Sequence, residues 1–255
     1  MSGSLFPDDG LINWLCSGFN WLGLLRALWV FANPFKFFAA VLCRRVPVSL
    51  AVRTPTGIIT LTLRNFDSLR TLFSIFCRKD YETPSSRPFS FYDIGANIGL
   101  AAAYFLSRNL NSQVRCFEPD ETNLDWLHRN LEPFSGRATI INCAVTLRTG
   151  EAMLYRADDG RHSSMRQSEI AKAQQKVSTL SFNELLTETW GSNLPIVVKL
   201  DVEGLENELV ASAKFENHPR LSRLVCESTT CSTLITRPHR RVVRNGYIED
   251  LRFNA

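Results

Sequence analysis

The chain has 255 residues, of which 45% are hydrophobic and 21% are charged. This is enough apolar material for a buried core, and the low glycine and proline content excludes a disordered, collagen-like or repeat-built protein. The net charge of +4 is too small to indicate nucleic-acid binding by itself. The seven cysteines are scattered and no pair has zinc-site spacing. We therefore expect free thiols, no structural metal and a reducing, cytoplasmic compartment.

Residues 1–47 form an aromatic-rich arm. The longest charge-free stretch, Gly10 to Leu25, is shorter than the roughly 20 residues that a spanning helix needs, and the two acidic residues near the start do not suit a signal peptide. Aromatic residues mixed with basic ones are typical of a helix at the lipid headgroup boundary. We therefore expect residues 11–45 to contact a membrane surface, at its inner face. The alternative is a helical arm that packs on the main domain or on a second subunit.

Residues 48–87 contain the signals of a hairpin, a helix and a linker. Alternating apolar residues on both sides of Thr54-Pro55-Thr56-Gly57 predict a β-hairpin. Leucines and phenylalanines at helical spacing predict a helix from Phe66 to Phe76. The polar segment 82–88 is typical of a linker, so the main domain is expected to cover residues 88–255.

After residue 87, short apolar runs alternate with helix-like segments. This alternation predicts an α/β fold with a Rossmann-like, doubly wound, mostly parallel sheet, preceded by the N-terminal helical and β-hairpin extension. Ligands bind such sheets beyond the carboxyl ends of the strands. Five successive predicted strands end in an acid or an amide, which places five polar groups at one crevice. These residues are Asp93, Glu118, Asn142, Asp201 and Glu227.

A glycine-containing loop follows the first of these strands. Residues 93–99 read Asp-Ile-Gly-Ala-Asn-Ile-Gly, in which Gly95 permits a tight turn and Gly99 lets a helix begin against the strand. The spacing is neither that of a dinucleotide fingerprint nor that of a P-loop, which disfavours a nicotinamide oxidoreductase. Glu118 lies where a carboxylate can accept hydrogen bonds from both ribose hydroxyls of a nucleoside. The alternative is a tight turn in an unrelated α/β fold.

Three segments resemble the FkbM-type family of S-adenosylmethionine-dependent methyltransferases. Residues 93–99 and Phe117-Glu118-Pro119 look like the cofactor motifs, and residues 199–206 resemble the signature K-x-D-V-E-G-x-E. The resemblance covers about residues 89–227, with Leu205 standing where a small residue is usual. It implies methyl transfer from S-adenosylmethionine, most often to an oxygen of a sugar, glycan, polyketide or lipid-like acceptor.

The resemblance also implies which residues bind the cofactor. The loop would line the methionine and sugar parts, Glu118 would hold the ribose, and two residues after the third strand would lie beside the adenine. Asp93 is expected to orient the loop or the cofactor's amino group. The full expected set is Asp93, Gly95, Ala96, Asn97, Gly99, Glu118, Asn142 and Ala144.

The acceptor side is expected at Lys199, Asp201, Glu203 and Glu206. Residues 199 and 201 are two apart on a strand and so share a face. Carboxylates packed together raise one another's pKa and a lysine opposes this, which allows a tunable base. Asp201 is our first choice for the general base and Glu203 our second, with Lys199 completing the catalytic set. The alternatives are a hard cation held by these oxygens and a purely structural ion-pair cluster.

Two functions from different classes remain open at this point. The first is an O-methyltransferase, and the second is a membrane-associated binding or assembly protein with the same fold and no turnover. His162 could act as a base, although a surface loop histidine is the commoner case. The arginines of residues 237–244 form a basic cluster, for which a solvated face is the default interpretation and an anionic acceptor the alternative. The oligomeric state and the acceptor itself are not encoded in a readable pattern.

Overall fold

The computed structural model describes residues 18–83, 86–156, 173–187, 193–215, 218–244 and 247–253. The chain divides into two compact units, one comprising residues 1–85 with 107–110 and the other comprising the remainder. The arm and the hairpin belong to the same unit, and their separation at residue 47 stays a prediction. Residues 11–17 of the arm and His162 lie outside the described residues. Within the described ranges, no helix is long and apolar enough to cross a membrane.

The described residues of the first unit form three helices and a hairpin, and the predicted hairpin and helix are confirmed. Phe37 stacks on both Phe31 and Phe73, with ring centroids 4.5 and 5.6 Å apart, and these rings form part of its core. The elements are α1 (Gly18–Val30), α2 (Pro34–Cys43), β1 (Ser49–Thr54), β2 (Gly57–Thr62) and α3 (Phe66–Phe73), which continues into a π-helical turn (Ser74–Arg78).

Local sequence explains where two of these helices begin and end. Asn33 caps α2 by accepting a hydrogen bond from the Lys36 amide, and Pro34 occupies the first helical position, where no amide is required. Arg44 ends α2 in the left-handed conformation. Asn65 caps α3 in the same way, through the amide of Ser68.

The second unit contains a seven-stranded sheet, and the predicted α/β fold is confirmed. Five strands are parallel, in the order β5-β4-β3-β9-β10, and an antiparallel hairpin, β12-β11, extends the β10 side. The strands are β3 (Ser90–Ile94), β4 (Gln113–Phe117), β5 (Ala138–Ile141), β9 (Ile196–Leu200), β10 (Leu221–Cys226), β11 (His239–Arg244) and β12 (Ile248–Phe253).

The strand order fixes the position of the crevice. From β3 the chain moves outward through β4 to β5, whereas β9, on the other side of β3, is followed by β10. The order therefore reverses between β3 and β9, and in doubly wound sheets ligands bind at such a switch point, beyond the carboxyl ends of the strands. Asp93 pairs with Lys199 and Ile94 with Leu200 in this ladder.

Helices and a smaller sheet complete the second unit. Every residue of α4 is buried, and its ring Phe105 stacks on Phe91 of β3 at 3.7 Å. The small sheet has the order β6-β8-β7, and its strand β8 leads directly into a helix. The remaining elements are α4 (Leu100–Leu106), α5 (Glu121–Leu131), β6 (Ala144–Thr146), β7 (Gly150–Arg156), β8 (Ala173–Ser181), α6 (Phe182–Thr187) and α7 (Glu206–Ser212).

One expectation about the cysteines is wrong. Cys226, the last residue of β10, forms a disulfide with Cys231, whereas free thiols are expected from the sequence. The five-residue separation is short enough for the chain to turn back after the strand, which the spacing rules for zinc and redox motifs do not detect. The other described cysteines, Cys43, Cys77, Cys116 and Cys143, are free.

Candidate active site

The glycine loop begins one residue later than the sequence suggests, because β3 runs through Asp93 and ends at Ile94. Three of the next five residues have positive φ angles: Gly95 (+77°), Asn97 (+50°) and Gly99 (+84°). This region favours glycine and, among other residues, tolerates asparagine. The loop therefore turns sharply over the carboxyl end of the sheet.

Gly95 is needed because the backbone of a neighbouring strand lies against it. A Cβ atom at this position would stand 1.8 Å from the carbonyl oxygen of Asp201, the residue that follows β9. The Asp201 amide in turn donates to the Ile94 carbonyl at 3.1 Å. The close approach at Gly95 is thus a contact between two segments of the protein at the switch point. Gly99 meets a softer neighbour, the Leu127 side chain of α5 at 2.6 Å from its Cβ position.

Every amide of the loop from residue 95 to residue 99 donates within the protein. Gly95 and Ala96 donate to the Phe117 carbonyl, Gly99 donates to the Ala96 carbonyl, and the two amides between them donate to side chains. A phosphate-binding loop needs free amides aimed at the ligand. This loop offers none, which agrees with the exclusion of P-loop chemistry.

Glu118 ties the loop to the next strand connection. Its Oε2 accepts from the Asn97 amide at 2.7 Å, and its Oε1 accepts from the Asp120 amide at 3.0 Å and from Asn123 Nδ2 at 3.2 Å. The side chain is buried. A carboxylate oxygen can accept about two hydrogen bonds, so among the described residues Oε2 keeps one acceptor position for a ligand hydroxyl.

The pKa of Glu118 is raised to about 7. Burial is the largest cause, because it disfavours the charged form, and the hydrogen bonds from Asp120, Asn123 and Asn97 oppose it. Asp120 adds a smaller rise through its negative charge. Glu118 therefore changes its charge near neutral pH.

Lys199 joins the loop to the end of β9. Its Nζ donates to the Gly95 carbonyl at 2.9 Å and forms ion pairs with Asp93 Oδ1 at 3.2 Å and Asp201 Oδ2 at 3.1 Å. Burial lowers the pKa of Lys199, but the carboxylates of Asp201, Asp93 and Glu227 more than offset this, and its pKa lies well above the usual range. Lys199 is therefore a permanent cation that orients its neighbours.

Asp93 is fully buried on the inner side of this cluster. Burial raises its pKa, and the charge of Lys199 and its hydrogen bond oppose the rise. Its contact with Lys199 places it behind the loop, which fits the expected role of orienting the loop.

The segment after β9 is an acidic turn, defined here as residues 201–206. Glu206 is buried and accepts from the amides of Val202 (2.8 Å) and Gly204 (3.0 and 3.2 Å), so its carboxylate holds the turn together. Glu203 has a positive φ of +53°, a strained conformation for a non-glycine residue. The Asp201 side chain is 26% exposed. Asp201 and Glu203 thus remain partly open to solvent, whereas Glu206 does not.

The two residues expected beside the adenine lie in different environments. Asn142 directly follows β5 and is exposed at the carboxyl edge of the sheet. Ala144 belongs to β6 and packs in a small buried cluster with Leu154 and Val177. Glu227 directly follows β10, and its amide donates to the Leu200 carbonyl. All five predicted polar groups therefore lie at strands of one parallel sheet, near their carboxyl ends.

The sequence analysis missed the residues that hold these groups in place. Asp120 caps α5 through the Thr122 amide and pairs with Arg156 of β7 at 3.3 Å. Asn130 donates to the Ile98 carbonyl at 2.8 Å. The cap was readable, because an aspartate one residue before a helix is a typical N-cap. The contacts of Asn130 and Arg156 are long-range and carry no local signal.

The basic cluster near the end of the chain is not simply solvated. Arg241 forms an ion pair with the buried Glu249 at 2.6 Å. Arg237 donates to the His218 carbonyl and lies over the Phe253 ring, 4.8 Å from its centroid. These two arginines therefore serve the β11-β12 hairpin. Among the described residues, no group of three or more histidine, cysteine or acidic side chains is placed to hold a metal ion.

The sequence-family model described as "Methyltransferase FkbM domain" matches residues 93–231, just over half of the chain. The chain belongs to this family. Its cofactor is S-adenosylmethionine, and the resemblance inferred from the sequence is confirmed. No curated protein matches the chain significantly.

Solved structures similar to the chain are distant. An FkbM methyltransferase from Methylobacillus flagellatus KT is 16% identical, with a TM-score of 0.43 over 73% of this chain and 54% of that chain. The match thus spans about half of that protein's length. A methyltransferase from Geobacter sulfurreducens is 12% identical, with a TM-score of 0.39 over 88% and 90% of the two chains. TrmK from M. capricolum, in complex with S-adenosylhomocysteine, is 10% identical, with a TM-score of 0.37 over 66% of this chain and 63% of that chain.

The residues at the switch point suit this cofactor. Its sulfonium sulfur and amino group are cationic, and the carboxylates of Asp93, Asp201 and Glu227 surround a single lysine. Its ribose offers a diol, and Glu118 keeps an acceptor position. It carries no phosphate, and the loop has no free amide for one.

Proposed function

We propose that the chain is an O-methyltransferase that acts on a hydroxyl group of a small-molecule, glycan or lipid-linked acceptor. The observation that carries the proposal is the arrangement at the switch point. There the backbone carbonyl of Asp201 lies directly against Gly95 of the glycine loop. The Asp201 carboxylate is partly exposed and is held by Lys199, which also donates to the Gly95 carbonyl. A hydroxyl oxygen is a poor nucleophile until its proton is removed, so a fixed carboxylate beside the donor is the group that this chemistry needs.

The cofactor would lie along the carboxyl edge of β3, β4 and β5. The loop would line its methionine and sugar parts, Glu118 would accept from the ribose, and Asn142 and Ala144 would lie beside the adenine. Asp93, being buried behind the loop, would act by orienting it together with Lys199. When bound, S-adenosylmethionine supplies a methyl group that is already activated by its positive sulfur. The loop residues in this proposal are Gly95, Ala96, Asn97 and Gly99.

Asp201 is the proposed general base. Lys199 fixes its carboxylate through Oδ2, which leaves Oδ1 to take the acceptor proton at the moment of transfer. Glu203 is the second choice, because a strained residue next to a site is more often functional than structural. Glu206 supports the turn and is assigned no part in proton transfer.

The cofactor half of the proposal is tested by titration calorimetry. The full chain should bind S-adenosylmethionine and S-adenosylhomocysteine, and Glu118→Ala should weaken both by about tenfold or more, in line with about 1.5–3 kcal/mol for a charged hydrogen bond. Glu121→Ala, an exposed acid in the first turn of α5, is the matched control and should leave both affinities unchanged. Folded protein that gives no heat with either ligand would refute cofactor binding.

The acceptor half is tested by transfer of a labelled methyl group to a panel of sugars, glycolipids and hydroxylated polyketides. Asp201→Asn should lower turnover by about 100-fold or more while its affinity for S-adenosylmethionine stays within a few-fold of the parent. Unchanged turnover in Asp201→Asn would move the base to Glu203 or to a residue outside this turn. Tight cofactor binding without transfer to any acceptor would favour the binding or assembly protein without turnover.

A further inference from the structure

The two N-terminal helices of the first unit carry large apolar side chains on their outer side. On α1 these residues occupy positions i, i+1, i+4, i+7 and i+8, which place them on one face. Their exposure ranges from 47% to 80%. On α2 the exposed apolar side chains Phe35 and Leu42 are seven residues apart and so lie on one face of the helix, with 83% and 71% exposure. We call this set the outer apolar face; it comprises Trp21, Leu22, Leu25, Leu28, Trp29, Phe35 and Leu42.

The same helices are anchored to their unit by a different side. On α1 the buried residues are the small Gly23 and Ala27. A Cβ atom at Gly23 would stand only 2.7 Å from the Phe73 ring, so α1 packs very closely there. On α2 the buried residues are Phe37, Ala40 and Val41. A core contact therefore already fixes both helices, and the outer apolar face is additional to it.

All charged residues in the sequence around this face are basic. From Gly10 to Phe66 there is no acidic residue. Lys36, Arg44 and Arg45 are exposed on α2 and directly after it. The six basic residues of this stretch are Arg26, Lys36, Arg44, Arg45, Arg53 and Arg64.

We propose that the outer apolar face binds the surface of a membrane that contains anionic phospholipids. Tryptophan and phenylalanine suit the headgroup boundary, and lipid phosphates supply the negative charge that this stretch lacks. The helices have 13 and 10 residues, or about 20 and 15 Å, against about 30 Å of hydrocarbon, so they would lie in the interface plane. A second copy of the chain fits less well, because self-association of this face would bring basic residues together without acidic partners. The inference goes beyond methyl transfer and does not depend on it.

Vesicle flotation with the full chain tests the proposal. The protein should float with vesicles of phosphatidylcholine containing about one third phosphatidylglycerol and bind pure phosphatidylcholine at least about tenfold more weakly. Trp29→Gln with Phe35→Gln should reduce binding to the anionic vesicles by at least about tenfold. Arg44→Gln with Arg45→Gln should reduce it by a similar factor and remove most of its salt dependence.

Two control variants make the same chemical changes on the second unit. Leu234→Gln with Val243→Gln replaces exposed apolar residues, and Arg148→Gln with Arg240→Gln replaces exposed arginines; both should float like the parent. Circular dichroism and thermal unfolding of every variant check that both units stay folded, because cofactor affinity reports only on the second unit.

Three results would overturn the proposal. The first is no flotation with anionic vesicles by protein that binds cofactor. The second is equal flotation of the parent and the Trp29/Phe35 variant. The third is a parent protein that is a dimer in light scattering and a Trp29/Phe35 variant that is a monomer, with neither of the two binding vesicles. A second copy of the chain would then be the partner of the face.

Discussion

The glycine loop (residues 93–99) and the acidic turn (residues 201–206) follow neighbouring strands and lie at the same switch point, yet they are built differently. Every amide from residue 95 to residue 99 is used inside the protein, and most of the loop is buried. In the acidic turn, Glu206 binds the amides of Val202 and Gly204, and Asp201 and Glu203 are partly exposed. The loop is thus a preformed platform whose polar groups are already paired, whereas the turn leaves two carboxylates partly exposed, as the proposed role of Asp201 requires.

The largest expected effect comes from removing the cation that both segments share. Lys199→Met leaves Asp93 buried without its ion-pair partner and removes the bond to the Gly95 carbonyl. The free energy of unfolding should fall by about 3–5 kcal/mol, as for other broken buried pairs. Urea unfolding measures this, with Lys176→Met as the control, since the Lys176–Glu151 pair is exposed and should change stability by less than about 0.5 kcal/mol.

A companion variant separates the loss of the charge from the loss of the contact. Asp93→Asn combined with Lys199→Met removes the unpaired carboxylate and should recover part of the lost stability. If the double variant is no more stable than Lys199→Met alone, the buried charge of Asp93 is not the cause, and the loop and the turn are not coupled through it.

The second expected effect is a loss of stability when the backbone contact between the glycine loop and the acidic turn is disturbed. Gly95→Ala places a Cβ against the rigid carbonyl of Asp201 and adds the strain of a positive φ. We expect a loss of about 3 kcal/mol in the free energy of unfolding, from about 1–3 for overpacking and about 1–2 for the backbone. Gly136→Ala is the control, because no atom lies within 4 Å of its Cβ position. Equal stability of the two variants would show that the two segments do not touch.

The third expected effect is a pH dependence of cofactor affinity, which we attribute to Glu118, the residue bound to the glycine loop. The pKa of Glu118 is about 7, and in the proposed complex its ionised form accepts from the ribose hydroxyls. Cofactor affinity should therefore rise with pH, by about tenfold from pH 6 to pH 8, because the ionised fraction rises from about 0.1 to about 0.9. Calorimetry across this range measures it, and Glu118→Gln should show a flat profile. A parent profile as flat as that of Glu118→Gln would contradict the prediction.

The same titration affects stability with the opposite sign. Glu118 has a folded pKa of about 7, against 4.5 for its ordinary value. Between these values the folded state binds more protons than the unfolded state, so the contribution of Glu118 to stability falls as pH rises from about 4.5 to about 7. The cofactor-free protein should thus be less stable at pH 8 than at pH 5.5 as far as this group is concerned.

The smallest expected effect concerns backbone strain at Glu203 in the acidic turn. Glu203→Gly should be more stable than Glu203→Ala by about 0.5–1 kcal/mol, because only glycine adopts its positive φ without strain. Both variants lack the carboxylate, so their turnover should fall equally if Glu203 takes part in catalysis. Equal unfolding free energies in the two variants would show that the turn carries no strain at this residue.

Much of the fold was readable from local sequence. The strands Ala138–Ile141 and Ile196–Leu200 end where predicted, directly before Asn142 and Asp201, because each is a short apolar run that ends at a polar residue. The residue types of the site were readable for the same reason, since strand ends in a parallel sheet converge. The resemblance then supplied the cofactor, which no pattern of charge or hydropathy encodes.

The sequence did not reveal which donor and acceptor atoms pair with each other, or which backbone segments touch. Gly95 lies against the backbone of Asp201, which is 106 positions further along the chain, and no local pattern predicts this contact. Glu206 was placed with the acceptor residues and instead holds backbone amides of its own turn. The Cys226–Cys231 bond was missed because neither residue matches a known cysteine motif. Such contacts depend on strand register and on the path of the chain between elements, and these are fixed by packing of the whole sheet.

The bond between Lys199 and the Gly95 carbonyl joins residues 104 positions apart, and this separation bears on the order of folding. A contact of such long range closes only after most of the intervening chain is ordered, because loop closure costs entropy before the contact stabilises anything. The glycine loop therefore gains its final shape only once β9 has paired with β3. During refolding, helical signal should recover before the capacity to bind cofactor, and ligand binding will report the completed central sheet.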